Sequence, residues 1–300
     1  MNYIESLEYL DSLGKFGIQL GMERIEGLLR ELGNPEQKIK TVHVTGTNGK
    51  GSVSSMITNI ILAAGLKVGK FTSPHLVKYN ERIELNGKDI SDEDFAMTIT
   101  AVKVAADSIV QKGVCEQPTQ FEILTAAAFL YFHLQKVDYA VIEVGLGGLW
   151  DSTNIITPVV SVITNVSLDH TDRCGATVAR IAMQKAGIIK EGVPVVVNSA
   201  ISDEALEVMG RVAKEKSAPF VLSQDYKVIS SGLYGTSMEC DNEEFTLPLI
   251  GTYQPSNASL VVTILKEIGI SNVAEGMESS KWKCRFERVN PRTVIDGAHN

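Results

Sequence analysis

Residues 41–52, T-V-H-V-T-G-T-N-G-K-G-S, constrain this chain more than any other stretch. They open as an apolar run of strand type, with β-branched Thr41, Val42, Val44 and Thr45. They then break into a loop carrying Gly46, Gly49, Lys50 and Gly51. A helical pattern follows through Val53, Met56, Ile57, Ile60, Ile61 and Ala64, stopped by Gly65. Strand, glycine loop with lysine, then helix is the build of a phosphate cradle: backbone N–H groups turn toward an anion, and the helix N-terminus and the lysine add positive charge. The spacing departs from the standard phosphate loop. Only Thr47 and Asn48 separate Gly46 from Gly49, and Gly51 stands between the lysine and Ser52. A tight glycine turn is the plainer alternative.

The rest of the chain alternates apolar strand-like runs with helical patterns. Residues 2–33 read as two helices, the second ended by Gly33. A strand is expected at 67–71, a hairpin at 81–90 around Asn86-Gly87, and helices at 91–111 and 119–135. Four further strands are expected at 139–144, 159–164, 194–197 and 220–222, with a helix at 203–216 between the last two. Residues 225–250 read as an antiparallel patch, and a helix is expected from about 257 to 268. Near-continuous apolar strands alternating with helices predict an α/β fold: a mostly parallel sheet covered by helices, with a small antiparallel patch. Residues 293–295 read as a strand and 296–300 as the turn after it. The expected division is a nucleotide-binding domain over 1–290, with 291–300 beginning a second domain cut short.

Composition narrows the function. With 28 Lys and Arg against 36 Asp and Glu, a net charge of −8 argues against nucleic acid as a main partner. Four scattered cysteines without a C-x-x-C pair suit reduced thiols. The first residues lack a secretory pattern, and no apolar run approaches the roughly 20 residues of a membrane helix. The expectation is a soluble, cytoplasmic protein.

Ligands of open α/β sheets sit beyond the carboxyl ends of the strands. Lys50 and Ser52 follow the first strand and Ser73 the second. Glu143 ends the third, with Asp151 and Asn154 beyond it, and the fourth leads to Asn165, Asp169 and His170. Hard oxygen ligands beside phosphates suit Mg²⁺. Glu143 is either a strand-end charge or a metal ligand, and the cost of burying an unpaired carboxylate favours the metal. His170 reads equally well as an ordinary hydrogen-bonded histidine or as a ligand. Lys185, among small and apolar helix residues, reads by itself as a lysine reaching to solvent.

Seven motifs in order carry a more specific signal. They are 45–52; Thr72-Ser73-Pro74-His75 with Asn80-Glu81-Arg82-Ile83; 143–148 with Asp151-Ser152-Thr153-Asn154; Leu168-Asp169-His170; Lys185-Ala186-Gly187-Ile188; Gly251-x-x-Gln254-x-x-Asn257-Ala258; and Asp296-Gly297-Ala298-His299-Asn300. Over essentially the whole chain the set resembles folylpolyglutamate synthase, often bifunctional as dihydrofolate synthase, of the Mur ligase superfamily.

The resemblance implies a central domain of Mur ligase type and an ATP-dependent ligase that adds L-glutamate to the γ-carboxylate of a folate through an acyl phosphate. It implies ATP phosphates on Asn48, Gly49, Lys50, Gly51 and Ser52, and Mg²⁺ at two sites with Ser73, Glu143 and His170 as ligands. It turns Lys185 from a solvent-seeking lysine into one carbamylated by CO₂, catalytic together with Lys50 and His170. Asn257, Arg285, Asp296 and His299 would meet the rest of the nucleotide. Ser73, Pro74, His75, Arg82, Thr119, Phe121 and Asp151 would meet folate. Partners would be small molecules (ATP, folate and glutamate) bound by a monomer. Departures stand at Leu149 and Trp150, where relatives place arginine after the double glycine; at Gln184, where glutamate is common; and at Lys283-Cys284-Arg285, which keeps only the arginine of Pro-Gly-Arg. Trp150 would stack on a pterin or cap the core. Without the family's smaller C-terminal domain, weak or absent ligation is expected. Another Mur-type ligase, a non-catalytic module binding ATP or folate, and a plain phosphate-loop NTPase are the competing readings.

Overall fold

The computed structural model describes residues 1–14, 21–168, 175–290 and 292–297. Helix α1 (Tyr3–Leu13) starts on a capping box: Asn2 Oδ1 accepts the Glu5 N–H at 3.0 Å, and Glu5 returns a carboxylate to the Asn2 N–H at 2.7 Å. Helix α2 (Glu23–Glu31) follows, and its chain turns away at Gly33 in the left-handed region. Strand β1 (Thr41–Thr45) then runs into the glycine loop and helix α3 (Lys50–Ala63). Strand β2 (Val68–Phe71) leads to the hairpin of β3 (Ile83–Leu85) and β4 (Lys88–Asp89). Its turn residues Asn86 and Gly87 both have positive φ, as the Asn-Gly pair predicts.

Helix α4 (Asp92–Gln111) is capped by Ser91, and α5 (Gln120–Leu134) by a Thr119–Glu122 capping box. Strands β5 (Tyr139–Glu143) and β6 (Val160–Ile163), helix α6 (Val178–Ala186), strand β7 (Val195–Val197), helix α7 (Asp203–Glu215) and strand β8 (Phe220–Leu222) complete the α/β alternation.

The eight strands form one sheet in the order β4-β3-β2-β5-β1-β6-β7-β8. It is parallel from β2 through β8 and antiparallel only at the β2-β3-β4 edge. Side chains alternate between its faces. Ala140 and Ile142 of β5 pack with α1, α2, α4 and α5, whereas Val141, with Val42 and Val44 of β1, packs on α3. A third cluster joins Ile163, Val195 and Val197 to α6 and α7. Strands β9 (Tyr226–Gly232), β10 (Gly235–Cys240) and β11 (Glu243–Leu247) make the expected antiparallel patch. It buries Met238, Phe245 and Leu247 in the α3 core.

Helix α8 (Gln254–Glu267) begins three residues earlier than the apolar pattern indicates. Pro255 sits in its first turn, where a missing N–H costs nothing. Helix α9 (Val273–Glu278) and strand β12 (Glu287–Asn290) are too short for sequence periodicity to register. Strand β13 (Thr293–Ile295), expected as a strand, pairs antiparallel with β12. Among the described residues no helix is long and apolar enough to cross a membrane.

One ionisable side chain stands inside strand β1. His43 is fully buried. Its Nε2 lies 2.9 Å from Thr153 Oγ1, whose own proton goes to Asp151. The hydroxyl oxygen therefore accepts from Nε2–H, which leaves Nδ1 as an unprotonated acceptor without a partner. Burial, with help from Lys190, depresses the imidazole pKa to about 3. The folded state thus binds fewer protons than the unfolded state between about pH 3 and 6.5, so stability falls as pH drops through that window. At pH 5 this should remove about 2 kcal/mol relative to neutral pH. Urea unfolding at pH 7 and pH 5 should show the loss, and His43→Gln, which keeps the donor to Thr153, should reduce it by about that amount.

Candidate active site

Four strand ends converge beyond the carboxyl edge of the sheet. The loop after β1 is built for close approach. Gly49, the residue preceding α3, has φ 84°, and a Cβ there would stand 2.9 Å from Asn257 Oδ1. The Asn48 N–H donates to Asn165 Oδ1 at 2.8 Å, and Thr164 Oγ1 donates to the Asn48 carbonyl at 2.6 Å, so the loop after β6 braces the loop after β1. Lys50 Nζ folds back onto the loop's own carbonyls, Gly46 O at 2.8 Å and Thr47 O at 3.2 Å. Behind the loop, Gln254 Nε2 donates to Ser52 Oγ at 3.2 Å, and Asn257 Nδ2 donates to Gln254 Oε1 at 3.1 Å. Asn48, Gly49, Lys50, Ser52 and Asn257 are therefore brought together.

Glu143, the last residue of β5, is buried with Oε2 unpaired. Burial pushes its carboxyl up to about 7, against the pull of Lys50, Lys70, the Ser73 N–H and Arg285. An anionic oxygen in that position needs a cation, and a hard divalent ion meets the need better than water does. The donor chemistry of Ser73 and Glu143 thus fits magnesium. The third expected ligand, His170, lies outside the described residues, as does His299. Among the described residues no group of three His, Cys, Asp or Glu forms a metal cluster.

A cleft between the β1 and β5 loops is lined by Thr45, Lys50, Gly145, Gly147, Ile181 and Lys185. Lys185 is 4% exposed, so it does not reach to solvent as its sequence context by itself indicated. Its helix α6 is tied to the β5 loop by the Leu149 N–H on the Gln184 carbonyl at 2.9 Å. Thr45 Oγ1 donates to Gly147 O at 2.7 Å from the opposite wall. Asp151 shapes this loop from within: one oxygen accepts the Leu146 N–H at 2.9 Å and the other the Thr153 N–H at 3.0 Å.

Of the expected folate residues, Phe121 and Asp151 stand against the cleft lining at Gly145. Phe121 packs against Gly145, where a Cβ would stand 2.7 Å from ring Cε1, and its ring centroid is 5.9 Å from that of Phe71. Arg82 Nε donates to His75 Nδ1 at 2.8 Å, and the His75 and Tyr79 rings are 4.6 Å apart. Glu81 holds the loop between them by accepting the N–H groups of Leu76, Val77 and Lys78. Pro74 is exposed beside Ser73. Thr119 spends its hydroxyl on capping α5, and Glu122 of the same cap also binds Arg24. Trp150 is 49% exposed and caps no core.

The carboxyl-terminal contacts are looser. Arg285 is close enough to act on Glu143, while the exposed Asp296 accepts the Phe286 N–H at 3.0 Å. Sequence reasoning passed over Lys70, Trp282 and His43. A lysine flanked by Gly69 and Phe71 inside an apolar strand was a readable signal of a buried charge; nothing local marked the other two.

A family model described as the Mur ligase middle domain matches residues 44–265. Folylpolyglutamate synthase of Lacticaseibacillus casei is 38% identical over all of this chain and 74% of its own length. The chain belongs to the folylpolyglutamate synthase/dihydrofolate synthase family, whose members are ATP-dependent glutamate ligases. Dihydrofolate synthase/folylpolyglutamate synthase of Bacillus subtilis is 39% identical, over 99% of this chain and 73% of the relative. A solved folylpolyglutamate synthase complex with AMPPCP and folate superposes with a TM-score of 0.90 at 36% identity, covering all of this chain and 77% of that one. The fold expected from the family resemblance is the fold observed.

Asp151→Asn tests how the cleft wall is held. The amide keeps one acceptor where the carboxylate offers two, so a backbone N–H loses its partner. The expected cost is about 1.5–3 kcal/mol in urea unfolding, with faster hydrogen exchange at the Leu146 amide.

Proposed function

We propose that this chain binds Mg-ATP and a reduced folate and joins L-glutamate to the folate γ-carboxylate through an acyl phosphate. The observation that carries the reading is the buried, unpaired Glu143 oxygen beside Lys50 and the Ser73 N–H, at the mouth of the glycine loop. The chemistry requires this charge balance. A carboxylate is a poor electrophile and its oxygen a poor leaving group. Its attack on the γ-phosphorus releases ADP and leaves an acyl phosphate. The glutamate amine then adds to the carbonyl carbon, phosphate departs, an amide forms, and the amine proton passes to solvent.

In this reading residues 1–290 are the ATP-binding unit. The N–H groups of Asn48 to Ser52 cradle the phosphates, and Lys50 exchanges its loop carbonyls for phosphate oxygens. Ser73, Glu143 and His170 would hold magnesium, and a carbamylated Lys185 would serve a second ion. Bound magnesium would neutralise charge on the transferring phosphoryl group. Asn257, Arg285, Asp296 and His299 would meet the remainder of the nucleotide. Phe121 offers a ring face to the pterin, while His75 and Arg82 meet the polar part of the folate, with Ser73, Pro74, Thr119 and Asp151 shaping the same wall. The bifunctional name of the Bacillus subtilis relative supports a second reading in which dihydropteroate is also accepted.

The deciding experiment incubates the 300-residue chain with Mg-ATP, a reduced folate and labelled glutamate, then weighs the folate product. Label in folate, even at a weak level, is the result this reading expects. It should fall by at least about 100-fold in Lys50→Ala, the scale for losing one electrostatic contact to the transferring group. Absence of label with intact AMPPCP binding would sink the ligase reading for this chain. ATP turnover indifferent to folate would favour a plain NTPase.

A further inference from the structure

Lys70 is the one lysine within β2, and it is 4% exposed. It stands directly opposite Glu84 in the antiparallel β2-β3 pair, with Nζ 2.8 Å from Glu84 Oε1. The same Nζ lies over the Trp282 ring, 4.6 Å from its centroid. That indole in turn packs against Gly51: a Cβ there would be 2.7 Å from indole Cε2 and 3.0 Å from Nε1. One turn further along α3, Ser55 Oγ donates to the Lys281 carbonyl at 2.6 Å. Residues 281 and 282 are thus fastened to the start of α3 at two points, and Lys70 contacts the ring face.

This arrangement accounts for the departure from the usual phosphate-loop spacing. Gly51, the extra glycine between Lys50 and Ser52, is not among the residues with positive φ, so conformational freedom is not what it supplies. It supplies room for the indole. A desolvated ammonium over an indole face is a favourable contact, and Glu84 satisfies the remaining charge. The platform bears on the first helical turn, whose N–H groups carry the proposed phosphate contact.

We propose that Lys70 and Trp282 are positioning residues of the nucleotide site: the Lys70–Glu84 ion pair holds the Trp282 ring on Gly51, and the ring sets the phosphate-binding turn of α3. This rests on the nucleotide reading of the loop. It predicts that the platform and the nucleotide sense each other although neither side chain touches the phosphates.

The sequence contains only two tryptophans, Trp150 and Trp282, so Trp150→Phe leaves Trp282 as the sole indole reporter. In that background Mg-AMPPCP should change Trp282 emission saturably and yield a Kd. Lys70→Met with Glu84→Met removes the cation without stranding the Glu84 carboxylate; it also takes one positive neighbour from Glu143, which Trp282→Leu leaves in place. It should retain a cooperative thermal transition while raising the Kd by about 5- to 20-fold, whereas Lys70→Arg should stay within about 3-fold. If the double variant fails to fold, Trp282→Leu, followed by calorimetry, reads the platform from its other side with the ion pair intact and should weaken the analogue to a similar degree. A parental Kd in a folded Lys70→Met/Glu84→Met chain, or in Trp282→Leu, overturns the proposal while leaving the function intact. No analogue binding by the parent chain overturns the nucleotide reading and this inference with it.

Discussion

Glu143 sits buried at the end of a central strand with one carboxylate oxygen unpaired. Isolated, such a charge would cost several kcal/mol or take up a proton. Its surroundings are arranged to hold it. Lys50 comes from the loop after β1, the Ser73 N–H from the turn after β2, Lys70 from within β2, and Arg285 from the segment that follows α9. Three parts of the chain far apart in sequence thus converge on one oxygen pair. The parallel sheet is what allows this, because parallel strands deliver all their following loops to the same edge.

The glycine loop shows the same economy. Its backbone runs so close to neighbouring side chains that Asn257 stands against Gly49 and Trp282 against Gly51. Helix α3 behind it is buried on nearly every side, between the sheet and helices α8 and α9. A helix packed that way cannot drift, so the N–H groups at its start keep one direction. Opposite, Asp151 holds the β5 loop through backbone donors and reaches His43 through Thr153, which joins the cleft wall to the centre of β1.

Much of this was legible beforehand, for physical reasons that differ by element. Apolar runs of four or five residues marked the central strands because both faces of a parallel sheet are covered. The Asn86-Gly87 pair marked its hairpin because both residues tolerate positive φ. Helix α9 and strand β12 escaped because six and four residues carry no periodicity. Lys185 was misplaced at first because a lysine on a short helix ordinarily reaches water. Here it is buried and lines the cleft together with Ile181 and the 145–147 loop.

The sequence by itself determined the alternation of strands and helices, the glycine loop with its lysine, and the order of motifs that marks the family. These are encoded in residue type and local spacing. Only the tertiary structure decided that Glu143 keeps an oxygen unpaired, that His43 reaches Asp151 through Thr153, and that Lys70 reaches Gly51 through Trp282. Those facts depend on separations of tens to hundreds of residues closed by packing, and no local pattern records which side chains meet when the sheet assembles.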